Sequence, residues 1–266
     1  MADLAATTTV QTRPDQTDAE IAEYLVRTAG GLAARMRAAG LTVDQKTTIS
    51  DVVSDADKAA EAMIVAELAH SRPADGLLGE EGAAAPGDRT WVIDPVDGTF
   101  NFVSGLPAWC SALALVEDEV PLLGAIYQAT TDEMWIGGVD HPTTLNGVPI
   151  PRLEDRPLHE VSLSTYLSPE RLHEPELRDS LFRAITGSAS IRIIGSGSIE
   201  LAAVASGRLG VWLHADTLPW DWLPGVALIT AAGGVAEVFE HGGHRWHAAG
   251  PPTAVAQART TVLGTA

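Results

Sequence analysis

A single cysteine, Cys110, excludes any disulfide within this chain of 266 residues. With no thiol cluster either, a reducing, cytoplasmic setting is expected. Long apolar runs are missing too. The richest stretch, Val226 to Val238, is broken by Gly233, Gly234 and Glu237, well short of the roughly 20 residues a spanning helix needs. Positive charge is scarce: 17 Lys and Arg stand against 35 Asp and Glu, a formal net charge of −18. Such a surface repels nucleic-acid phosphates and anionic lipid, so neither nucleic acid nor membrane is an expected partner. An anionic substrate would need a local source of positive charge. Met1 to Pro14 lacks a basic segment followed by an apolar run and does not read as a signal peptide. What is present, 45% hydrophobic and 20% charged residues, matches an ordinary globular protein and excludes a disordered or fibrous one.

Periodicity lays out alternating elements. Residues 1–17 read as a loose, flexible tail. Thr17 or Asp18 then caps a helix whose stripe is Ile21, Leu25, Thr28, Leu32 and Met36, ending at Gly40. Gly30 and Gly31 within it suggest close packing. A second helix runs from Ser54 to about His70. Thr90 to Ile93 reads as a buried strand ending at Asp94-Pro95. Ser111–Val116 and Leu122–Tyr127 form a hairpin around Glu117-Asp118-Glu119, with Glu133–Ile136 beside it. Further on come strands near 161–166, 191–194, 209–213 and 235–239, and helices near 169–185, 198–206 and 222–232. No repeat or linker divides the chain, so residues 18–266 are expected to form one α/β domain of two lobes.

Chemistry concentrates in Trp91-Val92-Ile93-Asp94-Pro95-Val96-Asp97-Gly98-Thr99. An apolar strand delivers two carboxylates with a stiff Pro between them and a Gly-Thr turn after. Crowded carboxylates repel unless a cation sits between them, and hard cations such as Mg²⁺ prefer oxygen ligands. A polar strand-ending turn is the simpler alternative. Gly79-Glu80-Glu81-Gly82 is a second acidic pair, which as glycine-flanked residues can equally be a solvated loop. Trp220-Asp221 places an acid at the mouth of an apolar helix, where it would also complement the dipole.

In this order, these three segments resemble the signatures of the inositol monophosphatase family of Mg²⁺-dependent, Li⁺-sensitive phosphatases. The match at Trp91 to Phe102 is nearly complete, and Ala232-Gly233-Gly234 completes the C-terminal signature. The resemblance implies a layered αβαβα sandwich, the type shared with fructose-1,6-bisphosphatase, with the metal site where the layers meet. It implies that Glu80, Asp94 and the Val96 carbonyl hold a first metal, and Asp94, Asp97 and Asp221 a second, so that Asp94 bridges. Thr99 and Asp57 resemble the pair that orients and deprotonates water, with Glu80 counted beside them as catalytic. Lys46 matches a lysine upstream. Asp57 also reads as the end of a capping box from Ser54. Asp97, Gly98, Thr99, Ser196, Gly197, His214 and Asp221 would contact substrate, the Gly98-Thr99 backbone offering N–H groups to phosphate.

The implied activity is hydrolysis of a small phosphorylated alcohol by two- or three-metal activation of water, with Mg²⁺, or Mn²⁺ in its place, in a homodimer. The chain also departs from the family. Trp222, Leu223 and Pro224 follow Asp221 where small residues are usual. His214 stands where members acting on inositol phosphate carry an acid; it is either a surface histidine at a strand end or part of the substrate pocket. Histidinol phosphate and fructose 1,6-bisphosphate are therefore alternative substrates, and a regulatory binding protein retaining the fold is a further alternative.

Overall fold

The computed structural model describes residues 11–45 and 52–265. Helix α1 (Asp18–Ala39) starts as expected. The Thr17 hydroxyl accepts the Glu20 N–H at 3.2 Å, and the Glu20 carboxylate accepts the Thr17 N–H at 2.8 Å. Its buried face is Ile21, Ala22, Leu25, Val26, Ala29 and Ala33, while Leu32 and Met36 are only partly covered. Small residues thus continue the stripe, because the helix lies close to the sheet. A Cβ on Gly30 would stand 2.9 Å from the Tyr127 ring, whereas at Gly31 only the Arg35 guanidinium comes near, at 3.3 Å. Close packing holds for the first glycine alone.

Residues 11–17, expected to be loose, are anchored. Thr12 is buried, and its hydroxyl donates to the Glu67 carboxylate at 2.7 Å, on helix α2 (Asp55–Ser71).

Among the described residues the first sheet has eight strands. Their spatial order is Val148–Pro149, His141–Leu145, Glu133–Gly138, Val120–Gln128, Cys110–Glu117, Arg89–Asp97, Gly76–Gly79 and Ala84–Ala85. The expected hairpin turns at Asp118 and Glu119, both with positive φ. The strand expected to stop at Asp94 continues to Asp97. Pro95 has no N–H for the ladder, so pairing with the Cys110 strand shifts between Asp94 and Asp97 instead of ending. A short helix, α3 (Thr99–Val103), follows directly.

The helix expected over 169–185 is split. A 3₁₀ turn at Pro169–Arg171 precedes α4 (Pro175–Gly187), because Pro175 fits a first turn and cannot continue a helix. Helices α5 (Gly197–Ala205) and α6 (Pro219–Ala231) form the middle layer. A second sheet, five-stranded among the described residues, runs Ser190–Arg192, Ser162–Ser164, Val211–Ala215, His244–Gly250 and Val235–His241. Its outer face is covered by α4 and by α7 (Pro252–Leu263), which periodicity had not suggested.

The layers are therefore αβαβα, as the resemblance implied. Between α1–α2 and the first sheet, Leu25, Ile64, Leu68, Trp91, Ile93 and Leu113 pack together. In the middle layer, Leu201, Leu228 and Trp222 join Ile126 and Trp135 of one sheet to Trp212 and Ala249 of the other. A Cβ on Gly225 would overlap Leu201, so glycine permits the α5–α6 contact. Among the described residues no helix is long and apolar enough to cross a membrane.

Candidate active site

Three acids converge where the first sheet meets the middle layer. Asp94 and Asp97 close the central strand, and Asp221 lies in the first turn of α6. One carboxylate oxygen from each lies within 4.8 Å of the others. Asp94 is 1% exposed, and its Oδ1 is buried without a hydrogen-bond partner. Burial, and then the charges of Glu80, Asp97 and Asp221, push its carboxyl well above the usual range. Such an oxygen, facing other carboxylates in a buried place, suits a hard divalent cation. Asp97 is also raised by burial, although the N–H groups of Gly197 and Ser198, in the first turn of α5, donate to it. The α5 N-terminus therefore holds a metal-ligand candidate in place. Ser196 caps that helix, its hydroxyl accepting the Ile199 N–H.

Glu80 does not join this tight triplet, but its charge is the largest acting on Asp94. Its N–H donates to the Ile93 carbonyl at 3.1 Å, which sets it beside the end of the Asp94 strand. The Glu61 carboxylate fastens this loop by accepting the Glu81 and Ala83 N–H groups, both at 2.9 Å. Any side chain at Gly79 would overlap that carboxylate.

Thr99 and Asp57 meet as the resemblance implied. Gly98, at φ +88°, makes the turn, and the Thr99 hydroxyl lies 3.0 Å from Asp57 Oδ1 and 2.9 Å from the Val96 carbonyl. A hydroxyl has one proton, so it donates to one of these at a time. The other Asp57 oxygen accepts both the N–H and the hydroxyl of Ser54. The capping box and the Thr99 contact thus coexist, each using a different oxygen. Asp57 is fully buried, and burial raises its carboxyl above the usual range. Lys46 lies outside the described residues.

Glu80, Asp94, Asp97, Thr99 and Asp221 open on a cavity of about 320 Å³ that also takes in Ser196, Gly197, Phe100, Tyr166, Glu200, Trp212, His214, Asp216 and Leu218. His214, half-buried at the end of its strand, lines this cavity. Its ring lies 5.9 Å from Tyr166 and 5.8 Å from Trp212, and burial pushes its pKa down to about 4, so it is neutral near pH 7.

The inositol monophosphatase family model matches residues 15–262. The chain belongs to the inositol monophosphatase family. Over 204 residues, 74% of this chain and 75% of its counterpart, it is 32% identical to the fructose-1,6-bisphosphatase/inositol-1-monophosphatase of Thermotoga maritima. Over 196 residues, 73% of this chain and 71% of the other, it is 35% identical to the Nus factor SuhB of Xylella fastidiosa. Its structure resembles the extragenic suppressor protein SuhB of Bartonella henselae, with TM-score 0.83 and 25% identity over 91% of this chain and 97% of that one.

In this inositol monophosphatase-family chain, two acids of the cavity escaped the sequence reading. Glu200, 1% exposed on α5, accepts the N–H groups of Ile194 (2.6 Å) and Gly195 (3.2 Å) and the Trp212 indole N–H (3.0 Å). Burial pushes it up to about 7. An acid amid the apolar Ile199 to Ala205 run was the available signal. Asp216 follows the strand of His214 at φ +59°. Burial would raise it, but hydrogen bonds from the Arg245 N–H, His244 and Arg171 hold it down at about 2. The unusual Trp222 packs into the middle layer, its ring 5.5 Å from Trp212 and 5.1 Å from His247.

Proposed function

We propose that this chain is a Mg²⁺-dependent phosphomonoesterase that hydrolyses a small phosphorylated alcohol, with Mn²⁺ as a substitute and Li⁺ as an inhibitor. The observation that carries the reading is the triplet of buried Asp94 and Asp97 with half-buried Asp221, with its partnerless Asp94 oxygen, beside the Thr99–Asp57 pair. Asp94, Asp97 and Asp221, with Glu80 and the Val96 carbonyl at the rim, would hold the cations. Bound there, divalent cations supply positive charge for the phosphoryl oxygens and make a water easier to deprotonate. They also give the acidic chain its local attraction for an anion.

The protein's own groups move the proton. When the Thr99 hydroxyl donates to Asp57, its oxygen lone pairs are free to accept a proton from the attacking water. The Thr99 proton then passes to Asp57 Oδ1. Burial strengthens Asp57 as a base, and the two Ser54 donors fix its other oxygen, so the receiving oxygen keeps its aim. Gly98, Ser196 and Gly197 would border the phosphate, and His214 the alcohol. The two sheets share one middle layer and one site, which supports reading residues 18–266 as a single domain of two lobes. A homodimer, by resemblance to the family, and a cytoplasmic location, by the lone cysteine Cys110, belong to the same reading. An intact acid set with Thr99 and Asp57 favours an enzyme over a purely regulatory protein. The test is phosphate release from a panel of monoesters with Mg²⁺ or with EDTA; full turnover in excess EDTA would refute the metal-dependent reading.

A further inference from the structure

We propose that the alcohol part of the substrate carries a flat ring, which lies against the wall formed by Phe100, Tyr166, His214 and Leu218. This rests on the phosphomonoesterase reading above and names the substrate class it would take. The cavity has two kinds of lining: the acids of the cation site, and an aromatic and aliphatic wall. Phe100, Tyr166 and Leu218 are 50%, 42% and 50% exposed, apolar surface left open beside an otherwise acidic centre. His214, which lines the same cavity, is neutral, with its ring at an edge-on angle to Tyr166.

A polyol would need acceptors along this wall, and the two carboxylates nearby are engaged. Glu200 accepts two backbone N–H groups and the Trp212 indole. Asp216 accepts the Arg245 N–H, Arg171 and His244. Hydroxyls pressed against the Phe100 and Leu218 side chains or the face of the Tyr166 ring would lose water without replacement, the polar atoms of Tyr166, His214 and Thr217 being the partners left at the edges of the wall. A flat ring loses no such bonds and gains offset or edge-on contact with Tyr166. An uncharged histidine favours the same class, since it adds no charge to attract an ionic group.

The experiment compares 2-phenylethyl phosphate, 2-cyclohexylethyl phosphate and myo-inositol 1-phosphate, which differ in flatness and in hydroxyls. With Mg²⁺, kcat/KM should be highest for the phenyl ester, by about tenfold over the inositol ester. Tyr166→Ala should lower the phenyl ester about tenfold more than the inositol ester, Tyr166→Phe should keep the preference, and His214→Glu should move it toward the polyol. Calorimetry with the matching phosphonates reads the same order without turnover. Phosphate release from all three with inositol 1-phosphate preferred overturns the ring proposal and leaves the phosphatase reading standing. Ring-selective phosphonate binding without hydrolysis of any ester does the reverse. A Tyr166→Ala protein that loses all three activities equally, or that falls from dimer to monomer, makes the wall an interface and also overturns the proposal.

Discussion

Asp94→Asn separates the charge of the proposed bridging acid from its shape. In the metal-free protein Asp94 is buried among Glu80, Asp97 and Asp221. At the 4.8 Å that bounds the triplet, two like charges in an effective dielectric of about 20 repel by roughly 3 kcal/mol. Partial protonation relieves some of this while the other neighbouring acids add to it, so that single-pair figure sets the order of magnitude of the gain from asparagine. Asparagine also brings an N–H₂ group that can donate to the neighbouring carboxylates. An unfolding entropy of about 2.1 cal/mol/K per residue over 266 residues makes each kcal/mol roughly 2 °C in Tm. In EDTA the variant should therefore melt at or above the wild type, by an amount on the order of 5 °C. Mg²⁺ at 100 times its dissociation constant should stabilise the wild type by roughly 2.7 kcal/mol, again about 5 °C. The variant, missing its bridging ligand, should gain far less, and the order of the two proteins should reverse. Four melting curves, each protein in EDTA and in saturating Mg²⁺, provide the assay. Equal Mg²⁺ shifts in the two proteins would refute the bridging role.

Thr99→Ala should lower kcat by about 10²-fold with a smaller change in KM, and Thr99→Ser should restore most of it; steady-state kinetics showing an unchanged kcat would remove Thr99 from proton transfer. Glu200 is raised by burial to about 7, above its value of about 4.3 in an unfolded chain, so the folded state binds more protons between those limits. Stability should therefore fall by about 4 kcal/mol as pH rises from below roughly 4 to above roughly 7. Glu200→Gln should flatten that slope in a denaturant series across pH, and an unaltered slope would show that Glu200 does not cause it. Gly225→Ala should cost about 1–3 kcal/mol, because the added methyl overlaps Leu201, while Gly31→Ala should be neutral or stabilising; equal Tm values for the two variants would contradict the packing argument.

The sequence determined what depends on neighbours along the chain. The Thr17 and Ser54 caps, the hairpin at Asp118-Glu119 and the acids on the central strand were all legible, because capping and alternation are local. So were the three acidic segments as candidates. Their meeting at one point was implied only by resemblance, and the folded chain supplies its physical cause. The α6 layer carries Asp221 to the end of the central strand, and the start of α5 donates two N–H groups to Asp97. Other features had no local signature. Pro95 punctuates a chain read residue by residue, yet cross-strand pairing on both sides carries the strand past it to Asp97. Thr12 looked like tail until Glu67, on another element, accepted its hydroxyl. The neutral state of His214 and the raised carboxyl of Glu200 arise from desolvation, and desolvation exists only once the second sheet and middle layer close over them.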